Sequence, residues 1–78
     1  MSEVQILLNS IDKVKDFVYI VGKFDARMEL VSGRAVINAK SIMSIFCVDL
    51  SKPMMLRIHE KRKYAEEVVD AIKEYIVV

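Results

Sequence analysis

The stretch Asn38-Ala39-Lys40-Ser41-Ile42-Met43-Ser44-Ile45 decides how this chain reads. It joins a segment that alternates apolar and polar residues to a short run that is nearly all apolar. Ser41 is placed to cap a helix, because a serine hydroxyl accepts a first-turn backbone N–H that has no intrahelical partner. The run from Ile42 to Val48 is too short for periodicity to separate a helix from a buried strand. The cap before it and Asp49 after it predict about two turns of helix.

Working back from Asn38, residues Ala35, Ile37 and Ala39 alternate inward against Arg34, Val36 and Asn38. Ser32-Gly33 is a turn, where glycine supplies a positive φ at little steric cost. Phe24, Ala26, Met28 and Leu30 alternate with Asp25, Arg27 and Glu29, so the two segments predict a hairpin. Before it, Val14, Phe17, Val18 and Val21 fall on one face of a helix. Ser10 is its predicted cap, Asp12 suits its positive end, and Gly22 is expected to end it in a left-handed conformation. Val4, Ile6 and Leu8 predict a first, half-buried strand.

Working forward, Ser51-Lys52-Pro53 is a loop whose proline stands before a strand and not inside one. Met54, Leu56 and Ile58 alternate with Met55, Arg57 and His59 to give a fourth strand. The last helix carries Ala65, Val68, Val69, Ile72, Tyr75 and Ile76 on its apolar face. The predicted order is β-α-β-β-α-β-α. Each strand shows one wet face, so all three helices should cover one side of a four-stranded antiparallel sheet. The expected fold is therefore an open-faced α+β sandwich.

With 78 residues, the chain is expected to form a single domain over residues 1–78. Its 54% hydrophobic content supplies a core and its 29% charged content keeps the chain soluble, so disorder is not expected. Twelve basic and 11 acidic residues leave a net charge of +1, with no concentrated basic field for nucleic acid. One cysteine, Cys47, excludes an internal disulfide framework and fits a reducing cytosol. No apolar run approaches the ~20 residues of a membrane span, and no leader is visible, so a cytoplasmic location is expected.

The element order and several side chains resemble HPr, the histidine-containing phosphocarrier family of the bacterial sugar phosphotransferase system. The Phe17-Val18 pair, Phe24, Leu56, Ile58, Val68-Val69 and Ile72 sit at family-like spacing. Asn38 to Met43 is similar, almost residue for residue, to the family's regulatory-serine motif. The resemblance spans essentially the whole chain, and it breaks at one place. The family's catalytic segment, Gly-x-His-x-Arg-Pro-Ala, counted back from Phe17, lands on Leu8-Asn9-Ser10-Ile11-Asp12-Lys13-Val14. Ser10 takes the place of the histidine, Asp12 that of the arginine and Lys13 that of the proline.

That replacement bears on chemistry. A phosphocarrier needs an imidazole nitrogen that accepts phosphate from one partner and releases it to another. Serine forms a stable ester instead, and Asp12 repels the phosphate that an arginine attracts. The only histidine, His59, falls on the wet face of the last strand with no metal-type partner at useful spacing, so no metal and no cofactor are expected.

The resemblance also implies a regulatory role for Ser41, which a kinase modifies in the family. It further implies a docking patch built from Lys40, Ile42, Met43 and Phe46, with Ile45 and Val48 turned to the core. The expected function is a non-enzymatic, HPr-like regulatory or adaptor protein that binds protein partners through the Ser41 helix. Those partners are phosphotransferase-system components, the HPr kinase or a transcription regulator. The alternative is a fold retained for self-association, by edge pairing or strand exchange, as a homodimer. Base stacking on the sheet has only Phe24 to draw on, and no nucleophile and base pair emerges, so neither nucleic acid nor catalysis is expected.

Overall fold

The computed structural model describes residues 2–77. Its elements are β1 (Ser2–Ile6), α1 (Ile11–Val21), β2 (Arg27–Ser32), β3 (Ala35–Asn38), α2 (Ile42–Ile45), β4 (Met54–His59) and α3 (Arg62–Ala71), followed by a 3-10 turn over Lys73–Tyr75. The strands form one antiparallel sheet in the order β1-β4-β2-β3. The open-faced α+β sandwich expected from the sequence is the fold observed.

Strand alternation explains why one face is covered. Along β4, Met54, Leu56 and Ile58 are buried while Met55, Arg57 and His59 keep partial exposure. Register carries this pattern across the sheet: Leu56 pairs with Val4 on one side and Leu30 on the other, and Ile58 pairs with Met28. Onto that apolar face pack Val14, Phe17 and Val21 of α1, Ile45 of α2, Ala65 and Val68 of α3, and Ile72 and Tyr75 beyond it. Phe17 and Tyr75 meet edge to face with ring centroids 5.9 Å apart, the arrangement favoured by the ring quadrupoles. Burial, with Glu74 beside it, pushes the Tyr75 phenol up to about 12.

The opposite face carries a paired polar row beside the apolar residues Met55, Val31 and Val36. Arg57 lies between Glu3 and Glu29 in register, and its Nε donates to Glu3 Oε2 at 2.7 Å. His59 Nε2 stands 2.6 Å from Glu29 Oε1, and Arg27 approaches the other Glu29 oxygen at 3.5 Å. The hydrogen bond to His59, helped by Arg27 and opposed by some desolvation, holds the Glu29 carboxyl below its ordinary 4.5.

Several boundaries differ from the sequence reading. β1 stops at Ile6 and does not reach Leu8: its register with β4 ends at Ile6–Met54, and the outward Leu7 N–H goes to the Tyr75 carbonyl at 2.9 Å; Leu8 is still fully buried. β2 begins at Arg27 and not at Phe24. After α1 the chain makes i+3 turns, with Lys23 N–H to Ile20 O and Phe24 N–H to Val21 O, and these delay the strand. Gly22 is right-handed, with φ −64, not left-handed: its N–H still reaches Val18 O in helical fashion. A Cβ there would sit a tight 3.0 Å from Val18 O. The left-handed residue is Gly33, with φ +58, in the two-residue hairpin turn. Ala35 is exposed and not inward-buried, as is the whole turn end of the hairpin from Gly33 to Val36. α2 makes a single turn in place of two. Beyond Ile45 the bonding tightens to i+3 bonds, Cys47 N–H to Ser44 O and Val48 N–H to Ile45 O.

Phe17→Ala removes the α1 side chain that bridges sheet and Tyr75, and is expected to cost about 3–5 kcal/mol in urea denaturation. The Glu29 pairing makes an acid-side contribution. A carboxyl whose folded pKa lies below the unfolded value stabilises fully above about 4.5, and loses that contribution as pH falls through the folded value. His59→Phe is therefore expected to shrink the stability difference between about pH 6 and about pH 3, measured by chemical denaturation at each pH.

Candidate docking face around Ser41

Ser41 and Ser10 are both helix caps. Ser10 is extended, with φ −152 and ψ 158, and its Oγ accepts the Lys13 N–H at 3.2 Å. Ser41 has φ −96 and ψ 100 and accepts the Ser44 N–H at 3.4 Å; its hydroxyl also shares a hydrogen with Ser44 Oγ at 3.0 Å. Two serines one turn apart thus close α2 on itself.

The segment leading into Ser41 is pinned by backbone and side chain together. Ala39, fully buried, donates its N–H to Met28 O at 3.1 Å. Asn38 accepts twice, on Oδ1 from the Lys40 N–H at 2.9 Å and on its carbonyl from the Ser41 N–H at 3.1 Å. The Lys40 ammonium, half-buried, donates to Phe24 O at 2.6 Å and so ties this loop to the α1–β2 connection. That connection is held in turn by Tyr64 of α3: its ring meets Phe24 edge to face at 6.1 Å, and its hydroxyl accepts the Asp25 N–H at 2.9 Å.

Around this frame the apolar residues separate only in part as expected, since Val48 does not join Ile45 in the buried core and Ile42 is not exposed. Ile45 is fully buried, Val48 and Ile42 are half-buried, Met43 is 72% exposed and Phe46 is 38% exposed. Two features escaped the sequence reading. Ile11 follows the Ser10 cap and precedes Val14 by three residues, a spacing that suggests the buried stripe of α1, yet it is 59% exposed at the helix mouth. The Lys40–Phe24 contact joins positions 16 apart, and no local pattern encodes it. It also means that Lys40 meets a backbone carbonyl and does not project as a free cation.

Ser10, Asp12 and Lys13 all lie exposed at the start of α1, which packs beside α2 in the helix layer. His59 lies on the other side of the sheet, on the wet face of β4 against Glu29. No imidazole therefore stands at the mouth of α1, and the two serine hydroxyls there and at α2 each serve a cap. Among the described residues no group of three or more His, Cys, Asp or Glu side chains could hold a metal ion. Cys47 is exposed, with its thiol 3.3 Å from Met43 O.

A family model described as the PTS HPr component phosphorylation site matches residues 13–77, and the chain belongs to that family. The match opens just after Ser10 and Asp12. Solved structures of the same fold include HPr-C-His from Thermoanaerobacter tengcongensis, 24% identical over 95% of this chain and 93% of that one, with a TM-score of 0.73. The phosphocarrier HPr of Bacillus anthracis is 23% identical over 97% and 94%, with a TM-score of 0.72. Crh, the catabolite repression protein of Bacillus subtilis, is 19% identical over 96% and 88%, with a TM-score of 0.65, and its structure is described as a dimer with a swapping domain. No curated protein matches the chain in sequence.

Ser41→Ala removes both the cap and the Ser44 contact, and is expected to lower stability by about 1 kcal/mol. Lys40→Met keeps the apolar stem but loses the charged donor to Phe24 O, and is expected to cost about 1–2 kcal/mol. Chemical denaturation of the two single variants measures both losses.

Proposed function

We propose that this chain is a non-catalytic, HPr-like regulatory or adaptor protein that docks protein partners through the Ser41 helix and carries no phosphate on histidine. The observation that carries the reading is a contrast within one layer. The position that requires a nucleophilic imidazole is Ser10, a helix cap. Beside it, Met43 and Phe46 remain exposed around an intact Ser41 cap. An exposed apolar cluster on a small domain marks an interface, and methionine adapts to irregular partner surfaces. Ile11 extends the apolar surface of the helix layer at the mouth of α1.

The partner class follows from the family: phosphotransferase-system components, the HPr kinase or a transcription regulator. Ser41 is the candidate regulatory phosphorylation site on the strength of the motif from Asn38 to Met43, and a phosphate there would break the Ser41–Ser44 hydroxyl contact. The reading places a single domain in the cytoplasm; no helix of the described residues is long and apolar enough to cross a membrane. A second reading, self-association, draws on Crh, a family relative described as a swapped dimer.

Incubation with ATP and the HPr kinase, followed by intact-mass spectrometry, tests the regulatory arm. A mass gain that Ser41→Ala abolishes is the expected result, and a gain that persists in Ser41→Ala would remove the assignment of that serine. For docking, Met43→Asp and Phe46→Asp together are expected to weaken kinase binding at least ~10-fold in titration calorimetry without lowering the thermal midpoint. Unchanged binding would place the interface elsewhere.

A further inference from the structure

Ser41 and Ser44 bring two half-buried hydroxyls together at the start of α2, with 3.0 Å between their oxygens. In a reciprocal capping arrangement the third helical residue reaches back to the backbone N–H of the cap. Here the Ser41 N–H already donates to Asn38 O at 3.1 Å, and the Ser44 hydroxyl meets the Ser41 hydroxyl instead. Ser10 shows the same cap without this second contact. Its Oγ accepts the Lys13 N–H at 3.2 Å, and the residue three along carries no hydroxyl.

A serine hydroxyl has one hydrogen to donate and two lone pairs that accept. At Ser41 the Ser44 N–H, 3.4 Å away, takes one lone pair. The contact with Ser44 Oγ takes the second lone pair if Ser44 donates, or the Ser41 hydrogen if Ser41 donates. Phosphorylation draws on one lone pair and on the hydrogen. Ser41 Oγ must direct a lone pair at the γ-phosphorus of ATP while its hydrogen passes to a base of the kinase. The new P–O bond forms to Ser41, the bond from phosphorus to the ADP oxygen breaks, and ADP leaves with that electron pair. Whichever serine donates, one group the reaction needs is engaged by Ser44. Opening the hydroxyl contact frees that group and leaves the cap bond from the Ser44 N–H intact.

We propose that Ser44 is a positioning residue that latches the Ser41 hydroxyl in an unreactive arrangement and so slows its phosphorylation; the proposal rests on the reading of Ser41 as the regulatory phosphorylation site. The latch acts on the chemical step and not on docking, because Ser44 is half-buried beneath the exposed Met43 and Phe46. Its size is that of one hydrogen bond, so its removal is expected to raise the rate about 2- to 10-fold. Ser44→Ala removes the latch alone, since the backbone N–H that completes the Ser41 cap remains.

Steady-state phosphorylation of the full chain by the HPr kinase with ATP, followed by intact-mass spectrometry, tests the proposal, with a family carrier as positive control. The expected result is a kcat raised about 2- to 10-fold in Ser44→Ala at unchanged KM. Ser44→Thr, which keeps the hydroxyl, should stay near the wild type, and Ser41→Ala should take up no phosphate. An unchanged or lowered kcat in Ser44→Ala, with the wild type phosphorylated on Ser41, would overturn the latch and leave the Ser41 reading standing. A kcat raised equally in Ser44→Thr would overturn it too, because the hydroxyl would then not be the cause. Phosphorylation of the control but of neither the wild type nor Ser44→Ala would remove the Ser41 reading, and the latch with it.

Discussion

Everything in this structure depends on a sheet that is apolar on one side only. β4 lies between β1 and β2, and its inward residues Met54, Leu56 and Ile58 have essentially no accessible surface. Their cross-strand neighbours, Val4, Ile6, Met28 and Leu30, extend the same apolar surface across the sheet. Four strands of this length cannot hide that surface by themselves, so the helices must collect on it. Phe17, Ile45 and Val68 are the side chains by which each helix does so. The outer face is left to water and carries the Glu3–Arg57 and Glu29–His59 pairs, which organise the charges and contribute little to a core.

This arrangement fixes where function can sit. Because all helices share one layer, the mouth of α1 and the cap of α2 belong to the same surface, and His59, on the opposite face, is excluded from it. The segment before Ser41 is the most constrained part of that surface. The Ala39 backbone, the Asn38 side chain and the Lys40 ammonium each hold it to a different part of the chain, and Phe24 and Tyr64 relay the hold to α3. A pinned frame under a cap leaves Met43 and Phe46 exposed without loss of order, the low entropic cost that the proposed docking role calls for.

Much of this was legible in the sequence, for reasons that differ from element to element. Met54 to His59 alternates cleanly, and so β4 and its faces could be read directly. Ser10 and Ser41 announce their helices because hydroxyl caps are a local device. The misreadings occurred where a longer-range partner intervened. Gly22 is the exception: its N–H keeps a local helical bond to Val18 O, and so it stays right-handed. Phe24 looks like the start of a strand but is held in a turn and gripped by Lys40 and Tyr64. The outward Leu7 N–H is taken by the Tyr75 carbonyl, from the far end of the chain. At the candidate site, Met43 is exposed and Ile45 buried as the resemblance implied, whereas Ile11, three residues before buried Val14, is exposed.

On the proposed function, the carrier fold persists here without a phosphate-carrying side chain. That is tested most directly by intact-mass spectrometry of the purified protein after incubation with phosphoenolpyruvate and enzyme I, with a family carrier as positive control. Phosphorylation of the control with no change in the mass of this chain is the expected result. An acid-labile phosphoryl gain on this chain, abolished by His59→Ala, would contradict it.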